Sequence, residues 1–286
     1  MTTQRALAVV SGGLDSTTMV YDLLAQGYKV DMISFNYGQR HKKELQFAKM
    51  TAAQLDLRHD IVDLSGLTHL ISNSALTSNS VHKGDGEPNS QGFIDVPEGH
   101  YAQDNMKLTV VPNRNMIMMS IAAGVAINRQ ANTIATAVHA GDHFVYPDCR
   151  PEFIFALGQA IITGNEGFHS FGRELDPEKD AAAVAQGYTH AAMPITTPYL
   201  QSTKADIAYK ALELGTPLHM TWSCYKGGLN HCGRCGTCVE RLEAIDAAAK
   251  RYTLDQGWAA MKDGKALVDS TVYDDNEYWK TVIQKG

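Results

Sequence analysis

The sequence predicts an α/β fold built on a doubly wound parallel sheet, followed by a C-terminal helical region organised by four cysteines. Three observations carry this. Short apolar runs alternate with helical stretches along the chain, and strand–helix–strand units of that length imply parallel strands with helices on the faces. A glycine-rich turn directly follows the first apolar run. Four of the five cysteines crowd between positions 224 and 238, which in a reducing compartment reads as metal binding rather than disulfides.

The elements follow in order. Ala6–Val10 is a short apolar run, a buried strand, and Ser11 to Asp15 is a turn. Ser16–Gln26 is helical, with Gly27 where the residue after a helix C-cap belongs. Lys29–Phe35 is a second strand, Lys42–Leu55 a second helix and Asp60–Leu64 a third strand. Residues 72–107 break the pattern. They are rich in Ser, Asn, Gly and Asp and form a long insertion or lid, and long loops are often functional. The pattern resumes with a helix at Met116–Ile127, a strand at Asn132–Val138 and a helix at Pro151–Ile162. Residues 164–191 are a second irregular insertion. Ala192–Thr196 is a fifth strand, and a helix from Thr203 to Leu214 ends at Gly215 and Pro217. A further helix, Val239–Arg251, follows the cysteines. The expected division is a nucleotide-binding α/β domain at 1–218 and a zinc-binding and helical region at 219–286.

Composition narrows the function. The chain has 286 residues, 44% hydrophobic and 20% charged, ordinary for a globular core with a solvated surface. The net charge of -6 argues against non-specific nucleic-acid binding while leaving room for a local basic pocket. No apolar run approaches the roughly 20 residues that span a bilayer, and the run at 6–10 is too short for a secretory signal core. The expectation is a cytoplasmic protein with no membrane partner and no direct nucleic-acid partner.

The sharpest local signal is Ser11-Gly12-Gly13-Leu14-Asp15-Ser16 after the first strand. Phosphate oxygens need several donors at close range. Glycines let backbone amides approach, and a following helix presents unpaired N–H groups and a positive dipole end. Ser11, Ser16 and Thr17 add hydroxyl donors. The pattern lacks the Gly-Lys-Ser/Thr ending of a Walker loop. It matches Ser-Gly-Gly-x-Asp-Ser, the signature of enzymes that cleave ATP to AMP and pyrophosphate. The nucleotide-binding run is Val10, Ser11, Gly12, Gly13, Leu14, Asp15, Ser16, Thr17, Thr18, Met19 and Val20. The bland alternative is a plain strand–helix turn with Asp15 or Ser16 as N-cap.

Cys224-x7-Cys232-x2-Cys235-x2-Cys238 offers four thiols to one ion. Short Cys-x2-Cys turns supply paired ligands to tetrahedral zinc, and a closed shell of four thiolates makes the metal structural rather than catalytic. An iron–sulfur cluster is the competing reading. Cys149 stands apart and reads by default as a small buried apolar residue. Lys204 opens its helix, where the dipole favours acids. A cation there makes better sense for an anionic ligand.

Six further segments resemble the 7-cyano-7-deazaguanine synthase family of the pyrophosphatase-loop superfamily. They are Phe35 to His41, Val111 to Asn115, His139 to His143, Tyr146 to Phe153, Ser202 to Asp206 and Thr221 to Tyr225, in the family's order. The resemblance runs from residue 6 to about 245 and does not cover the tail beyond 252. It implies an adenine nucleotide alpha hydrolase-like, Rossmann-like sheet. In such sheets ligands sit at the carboxyl ends of the strands, so Phe35–Gly38 and His139–Asp142 flank the loop. Phe35 and Tyr37 are candidate adenine contacts, or simply core. Arg114 and Arg150 are candidates to hold a carboxylate or phosphate by forked donors, or else make surface or N-cap ion pairs. His139 and His143 are assigned hydrogen-bonding roles, because the cysteines already complete a metal site.

By resemblance the catalytic residues are Asp15, Ser16, Arg114 and Lys204, and the substrate contacts Arg114, Gly141, Asp142, Asp148 and Arg150. The implied reaction takes 7-carboxy-7-deazaguanine and ammonia to the nitrile through adenylated acid and amide, with ATP, Mg²⁺ and structural zinc, in a homodimer. Free ammonia is the expected nitrogen source, since no glutaminase nucleophile signature is present. The rivals are another pyrophosphatase-loop adenylating amide ligase, a tRNA thiolase, or a non-catalytic nucleotide-binding zinc protein.

Overall fold

β1 spans Arg5–Val9, β2 Lys29–Asn36, β3 His59–Asp63, β4 Thr133–Ala135 and β5 Ile195–Thr196. All neighbours pair in parallel, in the order β3-β2-β1-β4-β5. This computed structural model describes residues 4–71, 74–77, 94–101, 104–166, 168, 171, 194–256 and 270–284. The doubly wound parallel sheet read from the sequence is therefore present. β4 is shorter than its apolar run because the chain leaves the ladder after Thr136, whose N–H still reaches Thr196 O at 3.0 Å. Residues 136–138 instead line a cavity.

The helices are α1 (Leu14–Ala25), α2 (Glu44–Gln54), α3 (Arg114–Asn128), α4 (Pro151–Gly164), α5 (Lys204–Leu214), α6 (Gly236–Gln256) and α7 (Tyr278–Ile283). α1 starts two residues before the predicted point, with Gly13 as its N-cap, so neither Asp15 nor Ser16 caps it. Gly27 follows with φ +86°, the left-handed turn expected of it. Thr203 caps α5 through a reciprocal capping box with Asp206.

Alternation along β1 builds two cores. Leu7 packs with α3 and α4, while Ala6 and Ala8 pack with α1, α2, α5 and α6. Each large aliphatic side chain buried this way contributes roughly 1.5–3 kcal/mol. The small residues of β1 let the helices approach closely. Most of the insertions at 72–107 and 164–191 lies outside the described residues. Within the first, Leu76, Tyr101 and Met106 are buried in the α3 core. Buried Arg241 ties α6 to the tail, donating to Leu218 O at 2.7 Å, Thr221 Oγ1 at 2.6 Å and Tyr273 Oη at 2.9 Å. Among the described residues no helix is long and apolar enough to cross a membrane.

The chain passes from β1 to β2 on one side and places β4 on the other. Such a switch point opens a crevice at the carboxyl ends of the strands.

Candidate active site

A cavity of about 230 Å³ occupies that crevice. Its floor is the loop after β1. There Ser16 Oγ takes the Ser11 N–H at 3.2 Å, and Ser11 Oγ takes the Gly13 N–H at 3.2 Å, so the hydroxyls brace the turn. Gly12 has φ +92°, and a Cβ there would lie 2.2 Å from Glu44 O and 2.8 Å from Ala48 N. The glycine is thus required by the first turn of α2 on the protein side of the loop.

Val10, Ser11, Gly13, Leu14, Asp15 and Ser16 line the cavity, as do Phe35 and Tyr37. Thr17, Thr18, Met19 and Val20 are buried, the last two in the core beneath α1, and none of the four is among the described lining residues. The nucleotide-binding run of the sequence is therefore exposed to the cavity only over its first turn, because one face of α1 must pack on the sheet.

Lys204 projects into this end from α5. Its Nζ lies 2.5 Å from Asp15 Oδ2, 3.5 Å from His139 Nε2 and 3.6 Å from Glu240 Oε2. Burial raises the Asp15 carboxyl, but the Lys204 charge and then His139 outweigh it and hold the group below its usual range. Burial likewise opposes the Lys204 cation. Asp15, Glu240 and Asp142 more than compensate and push its pKa up. A charged ammonium beside a helix N-terminus is suited to an anion. Asp15 Oδ1 is buried with no hydrogen-bond partner among the described residues, a free carboxylate oxygen suited to a divalent cation.

Arg114, the first residue of α3, lies among aromatic hydroxyls. Its guanidinium carbon sits 5.5 Å from the Tyr146 ring centre. Tyr146 Oη is 2.7 Å from Thr109 Oγ1 and 3.4 Å from Tyr225 Oη. Burial disfavours the charge, yet Tyr37, Tyr146, Tyr225 and Cys149 favour it, and the balance lies well above the ordinary value. No carboxylate pairs with this guanidinium among the described residues. A buried cation without a carboxylate is costly unless a ligand supplies one. Cys149 also lines the cavity, and burial pushes its thiol up, which leaves it a poor nucleophile.

The remaining predicted contacts separate. Asp142 lines the cavity and accepts the Tyr101 hydroxyl at 3.2 Å. Gly141 supports it from behind, its N–H donating to His139 Nδ1 at 3.1 Å. Asp148 holds the start of α3, accepting from Asn115 N at 3.0 Å. Arg150 is exposed and donates to His143 O at 2.9 Å. Neither Asp148 nor Arg150 is among the described lining residues. Sequence reasoning missed Glu44, Glu240 and the tyrosines 101, 146 and 225, which come from separate elements and meet only through the topology.

The sulfurs of Cys224, Cys232, Cys235 and Cys238 lie within 4.8 Å of one another, with Cys232 and Cys238 3.9 Å apart. A tetrahedron of four thiolates at zinc–sulfur lengths has edges of about 3.8 Å. The Arg234 and Cys235 amides donate to Cys232 Sγ at 3.4 and 3.3 Å, supporting a thiolate there. The same turn starts α6, which carries Thr237 and Glu240 into the cavity wall.

The profile of the family described as "Queuosine biosynthesis protein QueC" matches residues 5–249. The chain is 41% identical over 282 residues to 7-cyano-7-deazaguanine synthase 1 of Mesorhizobium japonicum, covering 98% of this chain and 97% of that protein. It is 40% identical over 280 residues to the 7-cyano-7-deazaguanine synthase of Ruegeria pomeroyi, covering 98% and 99%. Among solved structures, a 4-thiouridine synthetase–RNA complex with bound ATP aligns with 87% of this chain and 53% of its own at 15% identity, with a TM-score of 0.40, too distant to bear on the site. Sequence likeness over nearly the whole length, on a parallel sheet with a phosphate-type loop and a four-cysteine knuckle, places the chain in the QueC family of queuosine biosynthesis proteins.

Proposed function

We propose that this enzyme makes 7-cyano-7-deazaguanine from 7-carboxy-7-deazaguanine and ammonia, activating first the acid and then the amide with ATP. The observation that carries the reading is the pairing of two unlike anion sites in one cavity. The loop and Lys204 suit a polyphosphate, and Arg114 suits a carboxylate for which the protein provides no partner. In the first half-reaction a carboxylate oxygen bonds to the α-phosphorus as the bond to pyrophosphate breaks. Ammonia then bonds to the acyl carbon, AMP leaves and a proton is lost. In the second half the amide oxygen bonds to the α-phosphorus of another ATP as the bond to pyrophosphate breaks, and AMP then departs by C–O cleavage as the nitrogen loses its two protons to give the nitrile. The loop N–H groups, the α1 dipole and Lys204 neutralise charge growing on pyrophosphate, while Arg114 holds the acyl group in line. Asp15 Oδ1 fits Mg²⁺ arriving with the nucleotide, which would shield the phosphate charge. The four cysteines fit zinc in a structural role.

Carboxylate and amide are planar and nearly equal in shape, so one site serves both. Mass spectrometry of the product from acid, ATP and ammonia tests the proposal. The expected product is the nitrile, with two AMP released from the acid and one from the 7-amido compound without ammonia. If neither compound triggers ATP cleavage, the proposal fails. Homodimer assembly in the cytoplasm belongs to the same proposal, and a stable monomer by light scattering would end the dimer part.

A further inference from the structure

The mechanism above leaves one buried acid of the cavity without a task. Glu44 opens α2, is 8% exposed and lines the cavity. Its Oε1 is engaged: Gln39 Nε2 donates to it at 3.1 Å, and His41 Nε2 lies 3.5 Å away. Its Oε2 has no hydrogen-bond partner among the described residues. His41 lines the same wall, and its Nδ1 is buried without a partner among them. His41 Nδ1 is thus a buried atom whose hydrogen bond is unmade, which is expensive, and Glu44 Oε2 is left open to a ligand.

The ligand chemistry supplies the complement. The deazaguanine ring presents two adjacent donors on one edge, N1–H and the 2-amino group. Its adjoining edge presents two acceptors, O6 and the 7-carboxylate. A carboxyl matches the donor pair as a guanidinium fork matches the acceptor pair. Both groups are in this cavity and close enough for the Arg114 charge to act on Glu44.

Resting on the proposed function, we infer that Glu44 is the specificity residue that reads the N1–H and 2-amino edge of the substrate, while Arg114 holds the acceptor edge. Gln39 and His41 position the carboxyl, fixing Oε1 so that Oε2 is left for the ligand. A ring with a carbonyl at C2 would set an acceptor against Glu44. A ring without the amino group would leave Oε2 unmatched.

Initial rates of AMP release with 7-carboxy-7-deazaguanine and with its counterpart lacking the 2-amino group test this. At pH 8.5, where the Glu44 carboxyl has lost its proton, the wild-type enzyme should favour the 2-amino substrate by about 100-fold in kcat/KM, the worth of a charged hydrogen bond lost in a buried site. In E44Q, which keeps the side-chain shape, kcat/KM for the 2-amino substrate should fall about 100-fold and the preference should shrink at least tenfold. Should E44Q not fold, E44D draws the carboxyl back by one methylene and takes its place, with the preference again reduced. Equal loss on both substrates with the preference intact overturns the inference, as does a wild type that turns over both equally well. A wild type that cleaves no ATP with the 2-amino acid refutes the proposed function itself.

Discussion

Replacing Glu44 by glutamine should remove a loss of stability that the wild type suffers just above neutrality. Burial pushes Glu44 from 4.5 up to about 8, against the Gln39 hydrogen bond and Arg114. Between those values the folded protein keeps a proton that the unfolded chain has released. Stability therefore falls as pH rises through this window and levels off above it. His41 acts the other way. Burial, then Arg114 and Arg40, push it from 6.5 to about 3, so its contribution rises with pH across that range. The two slopes offset each other below pH 6.5, and only that of Glu44 continues to about 8. At ~1.4 kcal/mol per pH unit, the wild type loses about 2 kcal/mol over this interval that E44Q keeps. For a chain of this size that is about 4 °C in thermal midpoint. The assay is the midpoint difference between E44Q and wild type, read by circular dichroism at half-unit steps from pH 6.5 to 9. Taking the difference cancels the cysteines and every other group the two proteins share. The variant's advantage should grow by about 4 °C and then stay level. A difference that is flat or shrinks with pH refutes the reasoning.

Three further perturbations have definite outcomes. Gly12→Ala would drive a methyl group into Glu44 O at a positive φ, costing about 3 kcal/mol; an unchanged thermal midpoint would refute the close approach. Lys204→Ala strands Asp15 and Glu240 without their cation, which should lower stability by about 3 kcal/mol and AMP release about 100-fold. AMP release at the wild-type rate would remove Lys204 from the mechanism. Cys235→Ser should lower metal content below the expected ~1 zinc per chain and weaken folding, and stoichiometric iron in the wild-type protein by plasma mass spectrometry would overturn zinc.

Much of the architecture was legible because it is written locally. The run Ala6–Val10, the glycine turn and Gly27 are neighbours in sequence, and the structure keeps them as strand, loop and helix end. The cysteine spacing likewise brings four sulfurs into one cluster. What escaped is what separate elements assemble. Glu240 lies inside a predicted helix, and only the packing of α6 beside α5 brings it to Lys204. Glu44 lies inside a helix that the sequence predicts, and its place at the cavity appears only with the packing of α2 against Gly12. Arg150, the N-cap of α4, donates to the local carbonyl of His143. A residue's type named the chemistry it was capable of, and only the packing decided whether it performed it.

The seam between Gly12 and α2 limits how the enzyme can be retuned. The carbonyl that a Gly12 side chain would strike belongs to Glu44 itself, so the loop after β1 and the backbone bearing Glu44 are closely packed. Moving α2 toward the loop would drive the Glu44 carbonyl into Gly12, so the helix cannot give way in that direction. Selection for new bases should therefore settle on exchanges of side chains on a fixed frame, at Glu44, His41 and Arg114, while insertions between Phe35 and Glu44 should be purged from such libraries.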